Sequence, residues 1–364
     1  MTINRSIADL LRSHATIPTA AAAAAPGKNM IINGAMTVNQ RGSTTATSNT
    51  ENLDRFASTL YDTGTSAVAT VTKDSDSPTG FGSSMKFDVT TIATGGGDYN
   101  YVRQRIEAQN LQHLKYGTAD ALTCTFSFWF KTTITGIYSA WFVHLDASYT
   151  YIREFTVASS NTWEFFQVTL PGYTSTNFNN DTGPGLEVGI TLASDSLTGT
   201  LNTWVSGGKN GGSSNQVNGL SSTSNNIYTT GWQLEVGSVA TDFAHEDIGT
   251  TLQKCKRYFE RLDYNTDSDE MVVHGGMHTT TSFRTVWHYA EKRAAPTLDV
   301  GTASDFVVIA ATSELAVSGM TFPDAGPYSS GLFADTASTT LAYPGYLRRS
   351  GTAADAWIEA SAEI

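Results

Sequence analysis

Hydrophobic and polar positions alternate with a period of two over much of this chain. In 122–131, Leu122, Cys124, Phe126, Phe128 and Phe130 alternate with Thr123, Thr125, Ser127, Trp129 and Lys131. Such a period puts one set on a buried face and the other outside. A turn at 132–136 and a returning strand at 137–145 follow. The pattern recurs in Phe166, Val168 and Leu170, in Leu186, Val188, Ile190 and Leu192, and in Tyr228, Trp232, Leu234 and Val236. Residues 29–36 and 231–238 read as the first and last strands, lying near one another. Regular strands between Gly, Asn and Ser turns predict a mainly β protein. Residues 29–247 are expected to form an antiparallel β-sandwich (jelly roll), with one helical turn at 109–115.

The texture changes on either side. Leu252, Cys255, Phe259 and Leu262 stand at i, i+3, i+7 and i+10. That spacing predicts an amphipathic helix of about three turns, capped by Thr250 or Thr251. It would pack at a three-fold axis or close the base of its own sandwich. Strand-like pieces at 271–273, 282–289, 306–310, 315–322 and 356–361 complete a smaller C-terminal β domain over 248–364. At the other end, Ile3, Ile7, Leu10 and Leu11 predict a short N-terminal anchor helix within residues 1–28. A helix so short is marginal alone and needs a partner surface. Two readings stay open: a frayed terminus, or a docking peptide that seats the protein in a larger assembly.

Composition narrows the function classes. Only 15% of residues are charged while 40% are hydrophobic, which suits a turn-rich β protein and not a disordered chain. The net charge of −12, with no basic cluster, argues against nucleic-acid partners. No stretch has the apolar length of a membrane-spanning helix. Arg12, Ser13 and His14 break any secretory core ahead of the run Ala20 to Ala25. Cys124 and Cys255 lie in apolar patterns and are expected as buried free thiols.

Several ordered motifs carry a family resemblance. They are Asn29-Met-Ile-Ile-Asn-Gly-Ala-Met, Gln40-Arg-Gly, Asp54-Arg-Phe, Arg103-Gln-Arg-Ile-Glu with Gln109-Asn-Leu, Ser127-Phe-Trp-Phe-Lys and Gly231-Trp-Gln-Leu-Glu-Val-Gly-Ser-Val-Ala-Thr-Asp-Phe. Leu252 to Phe259, Lys292-Arg-Ala-Ala-Pro-Thr and the closing Ala356-Trp-Ile-Glu-Ala-Ser-Ala-Glu-Ile extend the series. Together they resemble bacteriophage tail-fibre and virion structural proteins. The resemblance implies a jelly roll similar to carbohydrate-binding modules, carried on virion appendages that are usually homotrimers. Ala35 stands where such modules often have an acid, which weakens any carry-over of a structural calcium site.

Catalytic and metal motifs are not found. The run Gly207-Gly-Lys-Asn-Gly-Gly-Ser lacks phosphate-loop spacing, and Gly275-Gly276 between His274 and His278 disfavours a zinc-binding helix. Asp74, Asp76, Asp98 and Asp195 sit among turn residues. No Gly-x-Ser-x-Gly elbow occurs, so no enzyme, metal or cofactor is expected. The aromatic residues offer a candidate site. With the 132–136 turn taken as a hairpin, Trp129 faces Ser139, Ser127 faces Trp141, Phe130 faces Tyr138 and Phe128 faces Ala140. Trp129 and Trp141 then share the outer face as a diagonal pair. Phe165 lies on the non-core side of its strand, with Gln167 as a polar neighbour. Exposed indoles suit sugar rings; equally, a neighbouring subunit or domain would cover such a patch.

The expectation is a virion structural protein, a short tail fibre or spike that adheres to host surface glycans. Assembled in the host cytoplasm and exposed on the particle, it would have itself, other virion proteins and host glycans as partners. A head decoration or head-fibre protein, a glycan-degrading appendage and a cellular carbohydrate-binding protein are the alternatives.

Overall fold

The computed structural model describes residues 28–61, 66–92, 99–194, 200–207, 211–263, 271–338, 343–350 and 356–364. The stripe Ile3, Ile7, Leu10 and Leu11, and the turn acids Asp98 and Asp195, lie outside them. The sandwich strands are β1 (Thr44–Ala46), β2 (Thr50–Glu51), β3 (Ala57–Tyr61), β4 (Val68–Asp74), β5 (Ser84–Thr91), β6 (Tyr99–Glu107) and β7 (Cys124–Thr132). They continue with β8 (Gly136–His144), β9 (Tyr149–Val157), β10 (Glu164–Leu170), β11 (Pro184–Ser194), β12 (Val205–Ser206) and β13 (Asn226–Val236). Among the described residues, one sheet runs β1-β4-β5-β13-β7-β10 and the other β12-β9-β8-β11-β6-β3-β2, with the strands paired antiparallel. The expected helical turn is a 3-10 helix, Ala108–Leu114.

Alternation in β7 did predict its buried face. Phe126, Phe128 and Phe130 are fully buried and meet rings from the opposite sheet. Phe130 packs on Tyr138 at 5.2 Å, Phe126 on Phe142 at 5.9 Å and Phe128 on Phe155 at 5.0 Å between centroids. Each such ring contributes about 2–3 kcal/mol by leaving water.

The hairpin is the first correction. β7 bonds to β10 and β13, whereas β8 bonds to β9 and β11. The short 133–135 connection therefore arches from one sheet to the other. Phe130 and Tyr138 still face each other, but across the core. The outer side of β8 consequently lies on the opposite face of the sandwich from Trp129.

Residues 29–36 are the second correction, for they form a turn-rich strap instead of a strand. They do reach the last strand: Met30 N–H donates to Leu234 O and Trp232 N–H to Gly34 O, both at 2.9 Å. Gln104 pins the strap through two 2.8 Å amide bonds to the Ile32 backbone.

Beyond the sandwich, helix α1 (Ile248–Lys256) is capped by the Asp247 side chain, not by Thr250 or Thr251. It is shorter than the stripe predicts. Leu252 is half-buried and Cys255 buried on α1, but Phe259 and Leu262 belong to a strand, β14 (Phe259–Asp263). Pairing of β14 with the chain's last strand wins over helical periodicity there. The remaining strands are β15 (Met271–Thr279), β16 (Ser282–His288), β17 (Thr297–Val300), β18 (Phe306–Ala310), β19 (Ser313–Thr321), β20 (Ser329–Thr336), β21 (Pro344–Arg349) and β22 (Trp357–Ser361). A closed barrel, β15-β16-β20-β19-β18-β21, stands beside a small sheet, β14-β22-β17. Against the sandwich, Arg41 lies over the Phe259 ring at 3.5 Å and Gln40 Nε2 donates to Phe259 O at 3.0 Å. Phe259 thus packs against the sandwich of its own chain.

Candidate functional site

The two outer faces of the sandwich differ. Trp141 points out from β8 but is fully buried, packed with Tyr101, Val143 and Ile152 beneath Leu201. Gly189 and Gly211 clasp it. A Cβ at Gly189 would come within 2.2 Å of Trp141 Cζ2, and one at Gly211 within 2.4 Å of Trp141 Cβ. The expectation that Trp129 and Trp141 form one exposed pair is therefore wrong. The sheet crossing parts them, and the loop carrying Gly211 covers Trp141.

On the other face, β10, β7 and β13 lie side by side and their outward residues form rows across the strands. Phe165 is opposite Trp129, and Trp129 is opposite Thr230. The Phe165 and Trp129 rings sit 5.4 Å apart; Phe165 is 47% exposed and Trp129 half-buried. A β-bulge follows Thr230, and Gly231 adopts φ +66°. A Cβ at Gly231 would meet Phe81 Cζ at 2.8 Å and Trp129 Cδ1 at 3.0 Å, so the glycine lets both rings approach. Phe81 carries the row on to Phe243, 5.0 Å away.

A second row lies roughly 6.6 Å along the strands. Tyr228 is opposite Lys131 on one side and Lys86 on the other. Lys131 Nζ stands 4.9 Å from the Tyr228 ring centroid and 5.9 Å from that of Trp163, within cation–π range. Asp76 accepts from Trp163 Nε1 at 2.9 Å and from Lys131 Nζ. The Lys131 hydrogen bond is the main reason that the Asp76 carboxyl is held below its ordinary pKa. Asp76 is thus a charged acceptor at neutral pH and not a proton donor. Gln167 is exposed on β10, and its Oε1 takes the Ala240 N–H at 3.0 Å. The segment containing Ala240 crosses this end of the sheet, with Thr241 N–H and Oγ1 both bonded to Glu235. On the rest of the face Phe165 is exposed, and Trp129, Trp163, Tyr228, Lys131 and Lys86 are half-buried.

The arrangement offers apolar ring faces with charged and amide groups at their edges. Such a surface can stack on a flat apolar framework and bond its hydroxyls. Three of the residues expected at the site, Trp129, Phe165 and Gln167, are together, and Trp141 is not. Trp163, Tyr228, Phe81, Lys131 and Asp76 were missed. Trp163 shares the parity of Phe165 and was legible from it. Tyr228 was placed on the core face, because the bulge at Gly231 reverses the parity between it and Trp232.

No family model matches the chain, and no curated protein does. Solved structures that the chain partly resembles include the enzymatically active domain of tailspike protein 4 of bacteriophage CBA120, 16% identical, covering 58% of this chain and 22% of that one, with a TM-score of 0.32. A CBM4 structure is 13% identical over 56% of this chain and 98% of its own, TM-score 0.31. A family 11 carbohydrate-binding module from Clostridium thermocellum, in complex with a mixed-linked tetrasaccharide, is 10% identical over 55% and 98%, TM-score 0.28. TM-scores this low leave all three outside any functional argument.

Among the described residues no group of three or more His, Cys, Asp or Glu is placed to hold a metal. His274 and His278 are exposed on β15, a strand and not a helix. Cys124 and Cys255 are free and buried, and burial pushes the Cys124 thiol up to about 12. Acids with raised pKa occur elsewhere. Glu51 and Asp54 are both pushed up by burial, beside Arg41, Arg55 and Glu363. Neither lines the two cavities beside the strap, so they read as members of a structural ion network.

Proposed function

We propose that this protein binds saccharides on the outer face of the β10-β7-β13 layer and serves as an adhesion protein of a virion appendage. The observation that carries the binding part is the ring row Phe165–Trp129–Phe81, beside a second row of Trp163, Lys131 and Tyr228. Trp129 and Phe165 offer ring faces to the apolar C–H surface of a sugar. Lys131, Asp76 and Gln167 supply hydrogen bonds to its hydroxyls. Trp163 to Gln167 span about 13 Å along the strand direction, enough for an oligosaccharide lying along β10. The proposed role is binding without catalysis, with the Asp76 carboxylate engaged by Trp163 Nε1 and Lys131 Nζ. The virion setting rests on the motif resemblance. A homotrimer would multiply a weak contact through effective concentration.

A second reading has the same observation behind it: a neighbouring copy of the chain covers the row. A glycan array probed with the full chain, run beside light scattering for mass, separates the two. Retention on envelope oligosaccharides with the face accessible is the expected result. No retention, together with a concentration-dependent oligomer that dissociates on Phe165→Ser, would favour self-association and defeat the proposal.

A further inference from the structure

We infer that a cavity of about 540 Å³ at the junction of strap, sandwich and α1 is a second ligand site, for a monosaccharide-sized ligand bearing a carboxylate or phosphate. Its volume falls within the range of small-molecule sites, about 300–1,000 Å³. Four elements wall it: the strap, β6, the 3-10 helix and the end of α1. The cations Arg105, Lys254 and Arg257 line it together with His113, and no lining residue is Asp or Glu. That is against the average of a chain with 34 acidic residues and 22 Lys and Arg.

The carboxylates that balance these cations lie outside the lining. Glu107 takes Nε and Nη2 of Arg257 at 2.8 and 3.0 Å, and Glu246 pairs with Lys254. Glu187 is shared between Arg103 and Arg105, so two guanidinium groups answer to one carboxylate. Of the two, Arg105 lines the cavity. The amides of Asn29 in the strap and Gln104 in β6 are occupied in holding backbone, whereas Asn110 lines the cavity as a further polar group. Met30, Ile32, Ile106 and Tyr258 provide an apolar floor for a carbon ring. An anionic group at the cationic rim with its ring on that floor satisfies both halves of the lining.

Calorimetric titration of the full chain with methyl glucuronide, inorganic phosphate and methyl glucoside tests this. Binding of either anion, weakened by salt, with no heat from the neutral glucoside, is expected; the anion that binds tells carboxylate from phosphate recognition. The double variant His113→Gln with Lys254→Gln should weaken it about tenfold at unchanged melting temperature. Trp129→Ala with Phe165→Ala should leave it intact, which keeps this site separate from the aromatic face. Absence of binding by both anions, equal binding of the glucoside, or an unaffected His113/Lys254 variant would overturn the inference.

Discussion

Arg55 and Glu363 form an ion pair across 308 positions of sequence, with side chains only 2% and 8% exposed. Arg55 also lies 3.4 Å from the Tyr258 ring centroid, and Arg41 reaches the other Glu363 oxygen at 3.3 Å. Burial opposes the charge on Arg55, but Glu363, Tyr258 and Glu51 together offset it and hold the guanidinium above its ordinary pKa. The segment after β22 is thereby fastened to the sandwich. Glu363→Gln leaves the guanidinium buried beside a neutral group. We expect a loss of about 3–5 kcal/mol in chemical denaturation, the usual cost of breaking a buried pair. A loss below 1 kcal/mol would mean that the pair does not join the two parts.

Trp141→Ala should destabilise the sandwich by about 3–5 kcal/mol, as expected of a large buried ring whose neighbours cannot collapse into the gap. It should leave saccharide binding unaltered in whatever fraction remains folded. Denaturation and binding measured on the same sample check both halves.

His144 gives the sandwich a pH dependence of predictable sign. Its ring is fully buried, stacks on Phe178 at 4.2 Å and bonds to Thr176 O through Nε2 at 3.1 Å. Burial lowers its pKa below the ordinary 6.5. The unfolded chain therefore takes up a proton at a pH where the folded one does not. Stability from this group is complete above about pH 6.5 and is lost as pH falls towards the folded value. Glu51, Asp54 and Glu359, raised by burial, act in the opposite direction. The comparison is thus wild type against His144→Gln. Between pH 7 and pH 5 the wild type should lose melting temperature relative to the variant; parallel curves would show that His144 does not titrate differently on folding.

Legibility in the sequence followed the range of each interaction. The buried sides of β7, β8, β10 and β11 were readable, since a period of two depends only on neighbours along the chain. Which sheet each strand joins was not, because a three-residue connection serves equally for a hairpin and for an arch between sheets. That one ambiguity misplaced Trp141. The parity change at Gly231 hid Tyr228, though a glycine inside an apolar alternation is itself a sign of a bulge. At Phe259 and Leu262, spacing alone fitted a helix, and only the distant strand β22 decides for pairing.

Binding of envelope oligosaccharide to the full chain, with and without Trp129→Ala and Phe165→Ala, bears most directly on the central claim. Each ring should contribute about 2 kcal/mol, roughly 30-fold in affinity, with the fold and melting temperature preserved. The account predicts that the double variant loses measurable binding while Trp141→Phe keeps it. Undiminished affinity in the double variant would contradict it.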